Sequence, residues 1–360
     1  MPANPITALT SRRYLNRLVN KRINPHRALL NLLFPESVRE NLFEETVQID
    51  VLTGTTGMAP FVKVGQKAVM MGSQNGTSYT LDTPFINIKR PLTYSTKLAS
   101  RLAGSNVVFN TDPGFVRQVI RQEMTKDVDY MNNLIDNRLE WMAAMILRGS
   151  LTYSVEGQDS FIIDVAKPDG NTYEVDSVWS GTCNPLEDIR DVKVIVSGYR
   201  GVIPNIAIGG ANATKALRAL ISARSLKLDP SPQSGVDSGF ANLLSRVSDE
   251  GMIYMGRIGD VDFFEYLGTY TDDTTGLQTP YIRTDYFEFF STSPAALEYR
   301  KLFFGLIPDL QAILEGNAVT QRYMTSKPPE PDQGTYEGII KTRPFPWLYR
   351  PEDTVSLKVV

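Results

Sequence analysis

Residues 113–148 read PGFVRQVIRQEMTKDVDYMNNLIDNRLEWMAAMILR, and after Gly114 neither Gly nor Pro interrupts them before Gly149. Thr111 or Asp112 is placed to cap a helix here, Pro113 suits its first position, and Gly149 suits the residue past its last turn. Apolar side chains recur at Val116, Ile120, Met124, Val128, Met131, Ile135, Leu139, Met142 and Ile146, in steps of three or four that put them on one stripe. The other faces carry Arg117, Arg121, Lys126, Asp129, Asn133, Asp136 and Glu140, which predicts an amphipathic helix packed along one side only. The steps average about 3.75 residues, away from the 3.5 of a coiled coil, and Met124, Met131, Met142 and Met145 read as core filler. At 1.5 Å per residue the helix spans about 54 Å. A compact globule of this chain length is only about 53 Å across. A helix that crosses the whole molecule with one stripe to bury implies a flat or elongated subunit.

Upstream, residues 59–92 are rich in Gly, Thr, Ser and Asn. Ser73-Gln74-Asn75-Gly76 is a hairpin signal between Phe61–Met71 and Ser78–Ile88, because an Asn-Gly pair accepts positive φ. The expected product is a long two-stranded ribbon, which is marginal alone in water and must lie on its own domain or on a neighbour. Further upstream, Thr46-Val47-Gln48-Ile49-Asp50-Val51 alternates as a half-buried strand does, and Ala28–Phe34 is an apolar stretch closed by Pro35. Downstream, turns at residues 156–159 and 167–171 divide the chain into an expected meander of Leu151–Val155, Phe161–Val165 and Thr172–Val175. Asn184, Pro185 and Glu187 announce a helix to about Val196. Strand Asn205–Ile208 and helix Ala211–Ser222 follow, then strands at Met252–Met255, Val261–Leu267, Tyr286–Phe290, Gly338–Lys341 and Val355–Val360.

Composition narrows the chemistry. The 360 residues are 42% hydrophobic and 21% charged, as in an ordinary folded protein, with a formal net charge of −3. Near-neutrality argues against a dedicated nucleic-acid binder with one basic face. No run approaches the roughly 20 apolar residues of a membrane span, and Met1–Arg22 lacks a signal-type apolar core, so a cytosolic or assembly-borne location is expected. One cysteine, Cys183, and one histidine, His26, cannot supply a disulfide, a zinc site or, by any sign here, a triad. Gly256-Arg257-Ile258-Gly259 and Gly209-Gly210 complete no dinucleotide fingerprint, and no phosphate loop occurs. Asp272-Asp273 reads as a turn, without EF-hand spacing. No catalytic, cofactor-binding or metal-binding residue is assigned. Charge is asymmetric at the start, where Arg12, Arg13, Arg17, Lys21, Arg22 and Arg27 precede any acid, the first being Glu36. They form an interaction arm or a solvated helix face.

The order of parts, basic arm, ribbon, long helix, strands, mixed α/β unit and return strands, resembles the tailed-bacteriophage major capsid proteins. In detail it is similar to the lambda major head protein E family. The likeness is carried by Ala59-Pro60-Phe61-Val62 after an acidic-apolar strand, by Pro84-Phe85-Ile86-Asn87-Ile88-Lys89, and by the helix ending Arg148-Gly149. It continues through Trp179 followed by Asn184-Pro185-Leu186-Glu187-Asp188-Ile189, and through Tyr281–Pro294. The resemblance implies an α+β Hong Kong 97 phage-type capsid fold with an N-terminal arm (1–46), a peripheral-domain strand (47–58) and an extended β-hairpin loop (59–92). It further implies a peripheral domain (93–183) with spine helix 113–148, an axial domain (184–308), and a return to the peripheral domain with C-terminal strands (309–360). The implied function is self-assembly into hexamers and pentamers of an icosahedral shell around double-stranded DNA, without enzymatic activity or cofactor. Implied partners are further copies of the chain, a scaffold, a portal, a decoration or cement protein and packaged DNA, and no membrane. Assembly contacts are expected at Arg12, Arg13, Arg17, Lys21, Arg22, Lys63, Lys67, Asn75 and Gly76. The implied location is the virion, made in the host cytoplasm. An encapsulin-like compartment, and a cytosolic enzyme using carboxylates not locatable in the sequence, are the other readings.

Overall fold

The computed structural model describes residues 28–44, 46–52, 76–92, 113–153, 161–179, 183–199, 201–224, 251–272, 275–314, 321–327 and 336–360, with backbone alone for 46–52, 76–82, 92, 113–123, 153, 161, 222–224, 311–312, 326–327 and 336. The chain is α+β. Helix α1 (Ala28–Leu33) is followed by strands β1 (Arg39–Asn41), β2 (Thr46–Leu52), β3 (Gly76–Asp82) and β4 (Ile86–Leu92). Then come α2 (Pro113–Arg148), β5 (Ser150–Tyr153), β6 (Phe161–Asp164), β7 (Thr172–Glu174) and α3 (Pro185–Gly198). The next elements are β8 (Ile206–Gly209), α4 (Ala211–Arg224), β9 (Met252–Ile258), β10 (Val261–Tyr266), β11 (Thr269–Thr271) and β12 (Gln278–Pro280). They are followed by β13 (Tyr286–Phe290), α5 (Pro294–Leu297), β14 (Arg300–Phe304) and α6 (Leu310–Leu314). The last are β15 (Tyr323–Lys327), β16 (Tyr336–Thr342), β17 (Pro344–Leu348) and β18 (Val355–Lys358).

A six-stranded sheet in the order β7-β18-β13-β8-β10-β9 divides two cores. Successive residues of a strand point to opposite faces, so β8 sends Ile206 and Ile208 to one cluster and Ala207 to the other. On β10, Phe264 and Tyr266 join the first, Phe263 the second. The second cluster is covered by Ile189, Val192 and Val196 of α3 and by Ala213, Leu217 and Leu220 of α4. The first contains α1, the described part of α2, and two three-stranded sheets, β1-β14-β17 and β15-β16-β4.

Helix α2 has the bounds its caps predict. Gly149 adopts φ +102°, and a Cβ there would stand 2.9 Å from Lys167 Cβ, so the terminating position needs glycine. The stripe from Met124 through Ile146 is buried within its own chain to 3% exposure or less. The expectation of a single buried stripe is nevertheless wrong. A second row, Asp127, Asn132, Asp136 and Glu140, is buried beside the first, and among the described side chains of the helix only the row Lys126, Tyr130, Leu134 and Arg138 is exposed. Each buried polar group has a partner on another element. Arg90 Nε lies 3.2 Å from Asp127 Oδ1, and Arg322 donates to Asp136 and, at 2.8 Å, to Asn132 Oδ1. Glu140 accepts from Leu29 N (3.0 Å), Leu30 N (2.8 Å) and the Tyr266 hydroxyl. Burial costs a carboxylate its water, and these partners replace it.

Other expectations shift. The returning strand β3 pairs with β2, from Thr46↔Asp82 to Leu52↔Gly76, while the other expected arm of the hairpin, Phe61–Met71, lies outside the described residues. The segment expected as one strand, Ser78–Ile88, is split at Thr83-Pro84-Phe85, and β4 instead pairs with β16. The three-stranded meander is a hairpin, β5 with β6, while β7 runs parallel to β18 in the large sheet. Residues 28–34, expected in the arm, are core, and Arg39 donates to Phe34 O (3.1 Å) and Asn31 Oδ1 (3.3 Å) to close α1. The helix announced by Asn184 forms as predicted, its side chain accepting from Leu186 N at 3.4 Å.

Candidate assembly surface

Buried ionisable groups in this protein hold elements together. Lys167 Nζ donates to Leu147 O (2.8 Å), an orphan carbonyl at the end of α2, and to Ser356 Oγ (2.8 Å) of β18. Ser356 Oγ donates on to Glu288 of β13, which also pairs with Arg283 at 2.8 Å. Burial lowers the Lys167 pKa to about 8, with Glu288 acting the other way. Arg300 lies fully buried on β14, 5.4 Å over the Phe290 ring; desolvation lowers its pKa to about 10, and Asp353 opposes that. Trp179 Nε1 donates to Asp188 Oδ2 at 2.7 Å, and burial raises that carboxyl despite the bond. Cys183 is buried with a free thiol. Among the described residues no three His, Cys, Asp or Glu are grouped to hold a metal ion, and no helix is long and apolar enough to cross a membrane.

The surface is less self-sufficient. Phe43 is 80% exposed, Leu314 78% and Leu310 72%. Apolar side chains so presented mark contact sites when they gather. One concavity is apolar: a groove of about 440 Å³ between β4 and α2, lined by Ile88, Pro91, Tyr130, Met131 and Leu134 together with Lys89 and Arg90. The two cations beside it are each paired within the chain, Lys89 with Glu337 and Arg90 with Asp127. Lys89 pairs with Glu337 at 2.7 Å while remaining 56% exposed, and the Arg90 guanidinium stacks 4.4 Å over Tyr130. The alternation of β4 turns Ile86, Ile88 and Arg90 toward the body and Asn87, Lys89 and Pro91 outward. As the edge of its sheet, β4 carries Pro91, which has no N–H to offer a further strand.

Of the expected contact residues, Arg12, Arg13, Arg17, Lys21, Arg22, Lys63, Lys67 and Asn75 lie outside the described residues, as does His26. Gly76 opens β3 opposite Leu52 at the described end of the ribbon. The sequence reading missed Phe43 and the β4–α2 groove. The lone Phe43 between Leu42 and Glu44-Glu45 carried no periodic signal, and Tyr130 and Leu134 were detectable only as apolar positions off the main stripe.

Comparison with known proteins follows the same architecture. A sequence profile of the family described as phage major capsid protein E matches residues 11–359. No curated protein sequence matches. Among solved structures, the chain is similar to a protein assigned as a prophage capsid protein in E. coli CFT073, with 21% identity, a TM-score of 0.71, and 97% of this chain and 99% of that one covered. It is also similar to a phage-related protein from Bordetella bronchiseptica RB50, with 11% identity, a TM-score of 0.51, and 96% of each chain covered.

Proposed function

The chain belongs to the phage major capsid protein E family and is a shell protein of the phage head with the Hong Kong 97-type fold; from that premise we propose how it builds the shell. Copies associate into hexamers and pentamers of an icosahedral shell that encloses double-stranded DNA, by symmetric contacts and without catalysis. The observation that carries this reading is the family match along nearly the whole length, residues 11–359, on a subunit whose long helix buries its apolar stripe from Met124 to Ile146 within its own chain.

In this reading the ribbon built on β2 and β3 is the extended loop that reaches a neighbour. Its expected range of 59–92 is trimmed at the far end, because β4 belongs to a body sheet. The unit of α3, α4 and the large sheet's second face is the axial domain, and α2 is the spine of the peripheral domain. Arg12, Arg13, Arg17, Lys21 and Arg22 act as a cationic arm toward scaffold or DNA, and Lys63, Lys67, Asn75 and Gly76 act at the ribbon's outer part. Scaffold, portal and a decoration or cement protein complete the head, which is assembled in the host cytoplasm.

Electron microscopy of the expressed chain tests the assembly. Closed shells, tubes or ring-shaped capsomers are the expected outcome, and a strictly monomeric species at high concentration refutes it. Nucleic acid inside particles from infected or induced cells separates a genome container from a protein-loaded compartment.

A further inference from the structure

Both strands of the β2–β3 ribbon are rooted on one short stretch of the body. Ahead of β2, Leu42 N donates to Phe304 O at 2.8 Å, and Glu44 O accepts from Leu306 N at 3.2 Å. Thr83, the residue after β3, is buried, and its carbonyl accepts from Arg343 Nε at 3.1 Å. The same guanidinium donates through Nη1 to Leu306 O at 3.4 Å, and the Arg343 carbonyl accepts from Gly305 N at 2.8 Å. Arg343 lies between β16 and β17. It ties the returning end of β3 to Gly305-Leu306, the pair that also holds the approach to β2. The joint is close-packed as well as bonded. A Cβ on Gly305 would stand 2.9 Å from Thr83 Oγ1, 3.3 Å from Arg343 Cδ and 3.4 Å from Glu44 O, so a glycine lets the segments meet.

A two-stranded ribbon has little of its own to fix its direction, so its root must do so. The pairs from Thr46↔Asp82 to Leu52↔Gly76 extend about 20 Å at roughly 3.3 Å per residue. A tilt of about 10° at the root therefore moves the far pair by roughly 3–4 Å, enough to spoil a contact packed as densely as a protein interior. We propose that Arg343 is the positioning residue of the ribbon: by tying Thr83 to Leu306 it fixes the angle at which β2 and β3 leave the body, and with it the place where the ribbon meets a neighbouring copy. The second half rests on the reading of the ribbon as the extended loop. A planar guanidinium fork can hold two carbonyls that belong to different segments, whereas a lysine ammonium is a point charge on a flexible stem. Both acceptors are main-chain carbonyls, so the tie depends on the shape of the donor and not on a partner charge.

The test places spin labels at Ser78→Cys on β3 and at Ala295→Cys, an exposed position on α5, and measures the distance between them in the unassembled chain. Cys183 is buried and stays unlabelled. Two variants disturb the root in different ways: Arg343→Lys removes the fork, and Gly305→Ala wedges the joint. Either suffices should the other lose its fold. The chain with an intact root should give one narrow distance distribution, and each variant a shift or broadening of about 3 Å or more. Unlabelled variants should melt close to wild type yet yield several-fold fewer regular particles by electron microscopy. An unchanged distribution in the folded variants overturns the positioning role, and so does a broad distribution with the root intact. A shifted distribution with particles of wild-type yield and shape keeps the role at the root and overturns the ribbon's part in the contact. Failure of wild-type chain to form any particle overturns the shell reading, while the distances still decide what Arg343 does.

Discussion

Glu140 shows how a charged residue becomes a structural one. Its carboxylate, with no exposure to water, takes two N–H groups from the first turn of α1 and the Tyr266 hydroxyl, so a single side chain ties α1, α2 and β10. Glu140→Ala strands three donors in the core and should cost roughly 3 kcal/mol or more; Glu140→Gln, which keeps one acceptor, should cost less, both measured by urea denaturation. Lys167 gives a pH signature. Its folded pKa of about 8 lies below the ordinary lysine value of 10.5, so between those limits the unfolded chain holds a proton that the folded chain has shed. Stability from this group therefore rises as pH climbs from about 8 toward 10.5, because the unfolded state binds more protons there. Melting temperature of wild type minus that of Lys167→Met, followed from pH 7 to 11, should rise across this window. A flat difference would mean that the ammonium is not desolvated. Arg300 is simpler still: its two terminal nitrogens are buried without a hydrogen-bond partner among the described residues.

Among the elements, α2 was legible in one respect and not in another. Pro113, Gly149 and the unbroken stretch between them mark its ends through backbone chemistry that acts locally. Asp136 and Glu140 of its second buried row read as solvent-facing, because their burial depends on Arg322, Tyr266 and the start of α1, which lie far away in sequence. The same limit hid the strand partners. Periodicity marks β2, β13 and β16 as strands, but pairing of β2 with β3, β4 with β16 and β7 with β18 is decided by tertiary packing, so an expected meander became a hairpin and a separate parallel strand. The assembly surface was least legible, since a groove exists only once β4 and α2 lie side by side. The long-range pairing is testable where it is charged. Arg322→Met leaves Asp136 buried without its cation and should cost about 3–5 kcal/mol. Adding Asp136→Leu should recover most of that loss in the same denaturation assay, because no uncompensated charge then remains in the core.

At the scale of the molecule, the six-stranded sheet makes one body of two cores, so contacts made on the α3 and α4 side and contacts made on the α2 side bear on a common wall. The basic arm is expected to act between copies and not within one. Arg17→Glu should therefore lower the yield of particles while leaving the melting curve of the unassembled chain unchanged; particles formed at wild-type yield would argue against it. The position of β18 in that sheet has a consequence in time. It lies between β7 and β13, parallel to one and antiparallel to the other, and its residues are 355–358. During translation at about 5–20 residues per second, β7 waits roughly ten seconds or more for its neighbour to emerge. Until then the wall has a gap in it, and a polypeptide interrupted before residue 355 keeps that gap permanently. The fold thus proofreads its own synthesis: a ribosome that stops early releases a chain whose two cores have no finished wall between them.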